Sequence, residues 1–176
     1  MSELTGILQR ISIWVQQYQP EKDGKKIPLL APGLTHEEIE SKVKDLPFRL
    51  SVELYELYQW HNGGYTCFLT AEDQKIVNNF SEQIKAFSPR ETVHFFSLEQ
   101  ALSYAVSRES KGGKYIFPIF AWENGSECAL LDLEQREISP IVDNSTPSEK
   151  FMSFPSITNM MLYYTRLLES KYLWIY

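Results

Sequence analysis

The chain has 176 residues, 43% of them hydrophobic and 23% charged, a globular composition that excludes wholesale disorder. That length suits one domain and is short for two with full cores. The net charge of −6 is spread over both halves with no basic tail, which argues against a charge-driven role on nucleic acid or a membrane surface.

Residues 3–18 have helical spacing: Leu4, Ile7, Leu8, Ile11, Trp14, Val15 and Tyr18 form one apolar stripe. Pro20 and the run Glu21 to Lys26 read as a polar loop, and Ile27 to Gly33, with Pro28 and Pro32, as extended chain. Thr35 followed by Glu38 is a capping box that starts a second helix, with Leu34 and Ile39 at the positions of a hydrophobic staple. Ile39, Val43 and Leu46 line that helix until Pro47 breaks it. A third helix is expected from about Pro47 to His61, with Leu50, Leu54, Leu57, Tyr58 and His61 on one face. Asn62-Gly63-Gly64 should end it, because Asn and Gly tolerate a left-handed exit.

Tyr65 to Thr70 reads as a short strand. Residues 71–91 are ambiguous, since Ile76, Val77, Phe80, Ile84 and Phe87 keep helical spacing while Asn78, Asn79 and Ser81 oppose it. Thr92 to Phe96 reads as a strand. Ser97 and Gln100 form another capping box for a helix over 98–107. The runs Tyr115–Glu123 and Ser126–Leu133 flank Asn124-Gly125, a strong hairpin signal. A turn over Glu134 to Glu137, a third strand over Ile138 to Val142 and a polar loop to Lys150 follow. The final helix spans roughly 156–170, striped by Ile157, Met160, Met161, Tyr164, Leu167 and Leu168, before an apolar tail ending in Tyr176. Helices, a meander over about 115–143, then a helix describe an α+β fold with a mainly antiparallel sheet packed by N-terminal and C-terminal helices. The whole chain reads as one domain.

Motifs for chemistry are sparse. Gly113-Lys114 is not a phosphate loop, because Arg108 stands where the first glycine belongs and Tyr115 follows the lysine. His36, His61 and His94 lack metal-ligand spacing, so no metal and no cofactor is expected. A His61–Cys67 pair would suit a nucleophile and its base. The plainer reading is a helix-end histidine and a small buried thiol. The acidic cluster Glu37, Glu38 and Glu40 suits the start of a helix. Trp60 beside Asn62-Gly63-Gly64, and Trp122-Glu123 at the hairpin, are each either partner anchors or packing residues. The first residues show no basic leader and no long apolar run, and the two cysteines read as thiols, so a cytoplasmic location is expected.

The order of motifs carries a resemblance. Leu46-Pro47 precedes a helix with Leu54 and Tyr58 and the run His61-Asn62-Gly63-Gly64. Then come Phe95-Phe96-Ser97-Leu98-Glu99-Gln100-Ala101, Phe117-Pro118-Ile119-Phe120, the Asn124-Gly125 hairpin, Leu131-Asp132-Leu133 and Ser139-Pro140-Ile141-Val142 before an amphipathic helix. This arrangement, over about residues 34–170, resembles the SMI1/KNR4 family, also called the SUKH superfamily. The spacer between Gly64 and Phe95 is longer than the family pattern, and the glycine-rich hairpin turn is reduced to Asn124-Gly125. The resemblance implies a non-enzymatic protein-binding domain: an immunity protein neutralising a toxin, as in many bacterial members, or an interaction adaptor, as in fungal ones. It carries over no catalytic residue. Leu46, Pro47, Asn62, Gly63, Gly64 and Asp132 transfer as structural or partner-contacting positions, beside Trp60, Trp122 and Glu123. The partner expected is another protein, with no nucleic acid and no membrane, and the chain itself a monomer or weak homodimer. The competing expectation is a small ligand-binding protein or hydrolase built on His61 and Cys67.

Overall fold

The computed structural model describes residues 1–18, 21–22, 24–26, 30–64, 94–107, 109–110, 114–122, 125–131, 134–143 and 152–169. Five helices lie among them: α1 (Glu3–Tyr18), α2 (His36–Val43), α3 (Val52–Trp60), α4 (Leu98–Ser107) and α5 (Ile157–Glu169). The strands are β1 (Glu21–Lys22), β2 (Lys25–Lys26), β3 (Leu30–Pro32), β4 (His61–Gly64), β5 (His94–Phe95), β6 (Glu109–Ser110), β7 (Lys114–Trp122), β8 (Gly125–Leu131), β9 (Ile141–Asp143) and β10 (Met152–Phe154). The fold is α+β, and every strand pairing is antiparallel.

The main sheet runs β10-β9-β8-β7-β5, and β6 also pairs with β7. β7 is its spine. One edge of β7 carries β8 from Tyr115↔Leu131 to Trp122↔Gly125, and the other carries β6 and then β5. Its side chains are buried on both faces. Tyr115, Phe117 and Ile119 join the main core, whereas Ile116 forms a small second cluster with Cys128 and Val142. The register slips between Pro118 and Phe120, so Ile119 and the adjacent Phe120 both enter the main core. A bulge inserts one residue and breaks the two-residue alternation there.

The main core joins the sheet to all five helices. Leu4, Ile7, Leu8 and Ile11 of α1 meet Leu54, Leu57 and Tyr58 of α3 and Ile157, Met160 and Met161 of α5. Tyr58 is fully buried, its ring 5.8 Å from Phe95 and 6.0 Å from Phe117. Its hydroxyl donates to the Phe96 carbonyl at 3.4 Å, and burial raises its pKa. Arg10 of α1 pairs with Glu169 of α5.

Helix α1 has the expected bounds, and both capping boxes form, at Thr35/Glu38 and at Ser97/Gln100. Other expectations need correction. Helix α3 starts at Val52 and not near Pro47, because Ser51 is its N-cap and accepts from Leu54 N at 3.4 Å. Leu50 is buried but precedes the helix. Asn62-Gly63-Gly64 does not cap α3. The chain leaves the helix at His61 in an extended conformation, φ −151° and ψ 143°, and continues as β4. β4 pairs with β3 through Leu30↔Gly64 and Pro32↔His61. The polar loop after α1 is a small hairpin of β1 and β2, turned by Gly24 at φ +75°. The strand expected from Ile138 begins only at Ile141, because Pro140 has no N–H and the Ser139 N–H is taken by Glu53. The elements expected over 65–91 lie outside the described residues, as does the apolar tail. No described helix is long and apolar enough to cross a membrane.

Candidate functional site

The segment Trp60 to Gly64 is where the expected site residues gather. Trp60 is half-buried. Its indole Nε1 donates to Ser12 Oγ at 2.7 Å, fixing the end of α3 to α1. The His61 ring stands edge-on to it, centroids 4.5 Å apart. His61 Nδ1 donates to the Ala31 carbonyl at 2.7 Å, since a carbonyl can only accept. The neutral ring therefore keeps its lone pair on Nε2. Burial lowers the His61 pKa, and the Ala31 bond opposes that shift only in part.

Asn62 reaches across to α4. Its Oδ1 accepts from Leu98 N at 2.7 Å, which satisfies a helix donor that has no intrahelical partner. Its Nδ2 lies 3.5 Å from Glu99 Oε2. Glu99 also accepts from Lys42 Nζ of α2 at 2.9 Å. Burial pushes the Glu99 carboxyl up, but the bonds from Lys42 and Asn62 outweigh it and the net shift is downward. Gly63 is buried at φ +83°, where a Cβ would stand 2.6 Å from Ser97 N and 2.9 Å from Ser97 Cα. Only glycine fits that backbone conformation and that approach. Gly33 makes a second close crossing, a Cβ there falling 1.8 Å from the Gln59 carbonyl oxygen, and Leu34 N donates to Tyr58 O at 2.9 Å.

The other expected positions lie elsewhere. Leu46 packs partly against the core and Pro47 is exposed, in the link between α2 and α3. Trp122 ends β7 opposite Gly125. Glu123, Asp132 and Cys67 lie outside the described residues, so the proposed His61–Cys67 pairing does too. Cys128 is fully buried in the sheet. Among the described residues no group of three or more His, Cys, Asp or Glu side chains is placed to hold a metal.

Sequence reasoning overlooked Glu53. Its side chain is buried at the start of α3 and receives four hydrogen bonds. Oε2 accepts from Ser139 N at 3.2 Å and Ile157 N at 3.1 Å, while Oε1 accepts from Thr158 N at 2.9 Å and Thr158 Oγ1 at 2.6 Å. Ser156 supplies the remaining bonds at the start of α5, its Oγ to Asn159 N at 3.1 Å and its carbonyl to Met160 N at 3.2 Å. All four leading N–H groups of α5 are thus satisfied. The available signal was a carboxylate four residues before Leu57, on a core-facing stripe. Comparison of the chain with family models, with curated proteins and with solved structures returns no match.

Proposed function

We propose that this chain is a non-enzymatic protein-binding domain of the SMI1/KNR4 type, acting in the cytoplasm as an immunity protein that neutralises a toxin, with an interaction adaptor as the related role. One observation carries the reading. The two motifs that bear the resemblance, Asn62-Gly63-Gly64 and Phe95 to Ala101, touch each other although they are far apart in the chain. Asn62 Oδ1 accepts from Leu98 N at 2.7 Å, and Gly63 lies against the backbone of Phe96 and Ser97. Their joint appearance has a physical cause, because the first motif supplies the acceptor for a helix-start N–H of the second and the side-chain-free backbone that the second packs against. This supports a common structural frame, and such frames carry partner surfaces that vary between members. The net charge of −6 suits a basic partner, which it would steer by long-range attraction.

The test is co-expression of this chain with toxin-like proteins encoded beside its gene. Suppressed toxicity together with co-purification of a complex is the expected result. If every such toxin still kills and none binds, the immunity role fails. Capture of a non-toxin signalling protein would then leave the adaptor role.

A further inference from the structure

A cleft of about 240 Å³ opens between α2, α3 and the loop at Gln135. Leu50 and the Tyr55 ring give it apolar walls, and Glu40, Lys44, Arg49 and Gln135 line its polar side. The charges are arranged unequally. The acid is engaged, since Glu40 Oε1 accepts from the Tyr55 hydroxyl at 2.5 Å and lies 3.9 Å from His36 Nε2. Among the described residues neither cation is paired with a carboxylate. Lys44 has no side-chain ion pair or hydrogen bond among the described residues. Arg49 bonds only to carbonyls there, Leu46 O at 3.0 Å and Phe48 O at 3.2 Å, both through Nη1.

Those carbonyls hold the guanidinium in place. They belong to the Leu46-Pro47-Phe48 bend, which gives this otherwise unassigned motif a local task. A guanidinium carries five N–H donors, so one nitrogen spent on the backbone leaves others for a planar, two-oxygen acceptor. We propose that this cleft binds a carboxylate on a short aliphatic stem, such as an acidic side chain of a protein partner. Arg49 would engage the carboxylate, Lys44 would add charge, and the stem would lie against Leu50 and Tyr55. A monoanion matches the lining, which has two cations and one anion. A phosphate dianion would bring excess charge towards Glu40. The inference goes beyond the proposed immunity role and stands without it.

The test uses the full chain alone, titrated with N-acetylglutamate α-amide, N-acetylglutamine α-amide and inorganic phosphate, and followed by nuclear magnetic resonance. The expected result is saturable shifts at Arg49, Leu50 and Tyr55 with the glutamate compound, about tenfold weaker binding of the glutamine one, and no tighter binding of phosphate. Lys44→Gln and Arg49→Gln should each weaken the glutamate compound about threefold or more. Arg49→Lys should fall between wild type and Arg49→Gln, because it keeps the charge and loses the fork. Both positions are exposed, and circular dichroism checks that the fold is retained in all three variants. Equal binding of the two amino-acid compounds, tighter binding of phosphate, shifts confined to other surfaces, or unchanged binding by the variants would each overturn the proposal.

Discussion

At Gly63 a single hydrogen atom in place of a side chain lets two segments of backbone meet. Gly63→Ala combines a left-handed φ of +83° with a Cβ 2.6 Å from the Ser97 backbone nitrogen. We expect a loss of about 2–4 kcal/mol in urea unfolding, the sum of backbone strain and forced displacement. Gly24→Ala has a similar φ of +75° but open space around it, so about 1 kcal/mol is expected. Equal losses at the two sites would mean that the contact with Ser97 contributes nothing. His61 supplies a pH-dependent term at the same scale. Its pKa in the folded chain is depressed, so below its ordinary value of 6.5 the unfolded chain takes up the proton more readily. The stabilisation is complete above that value and is lost as the pH falls below it. His61→Asn keeps a donor near the Ala31 carbonyl and cannot titrate. The difference in urea midpoint between about pH 7.5 and about pH 5.5 should shrink in this variant. An undiminished difference would assign the pH effect to other groups.

Helix ends are the places where elements of this fold are joined. The α3 donors Val52 N and Glu53 N go to the carbonyls of Arg136 and Glu137 at 2.9 and 3.2 Å. The Glu53 carboxylate then holds Ser139 and the first turn of α5. One helix start thereby organises a loop and a second helix start, and the partial positive charge at both starts favours the carboxylate. Glu53→Gln keeps the shape but turns an amide NH2 towards donors. We expect a loss of about 2–4 kcal/mol, since buried N–H groups would be left without acceptors. Glu56→Gln on the same helix is the control, because Glu56 meets Ser2 and Thr5 near the surface, and a loss below about 1 kcal/mol is expected. Similar losses for the two variants would show that Glu53 is not a junction of the fold.

Across the whole molecule, one core takes side chains from α1 at the start of the chain, from the sheet in the middle and from α5 near the end. Trp60 and Arg10 reinforce this by joining α1 to α3 and α5. The described elements should therefore unfold together, with near-ultraviolet and far-ultraviolet circular dichroism following one transition in urea. A separate early loss of helical signal would mean that α1 and α5 form a layer that opens independently of the sheet.

The sequence by itself determined the elements governed by short-range physics. The apolar stripe of α1, the capping boxes at Thr35 and Ser97, the β7–β8 hairpin and the α5 stripe depend on neighbours within a few residues, and each lies close to its expected position. Tertiary structure decided what the junctions do. Asn62-Gly63-Gly64 has the composition of a helix stop, yet its asparagine caps α4 and its glycine admits the Ser97 backbone. The role of Glu53 exists only because the fold brings Ser139, Ile157 and Thr158 to its carboxylate. Lys44 and Arg49, both in the link between α2 and α3, line a cleft with Tyr55 and Gln135 only because the fold brings Gln135 to that link. A hydrogen bond between distant residues leaves no periodicity or local spacing in the chain, because its partners are chosen by packing. The −6 charge and the globular composition are legible in the sequence, whereas the polar groups left available at the surface were set by which ones the fold had already consumed.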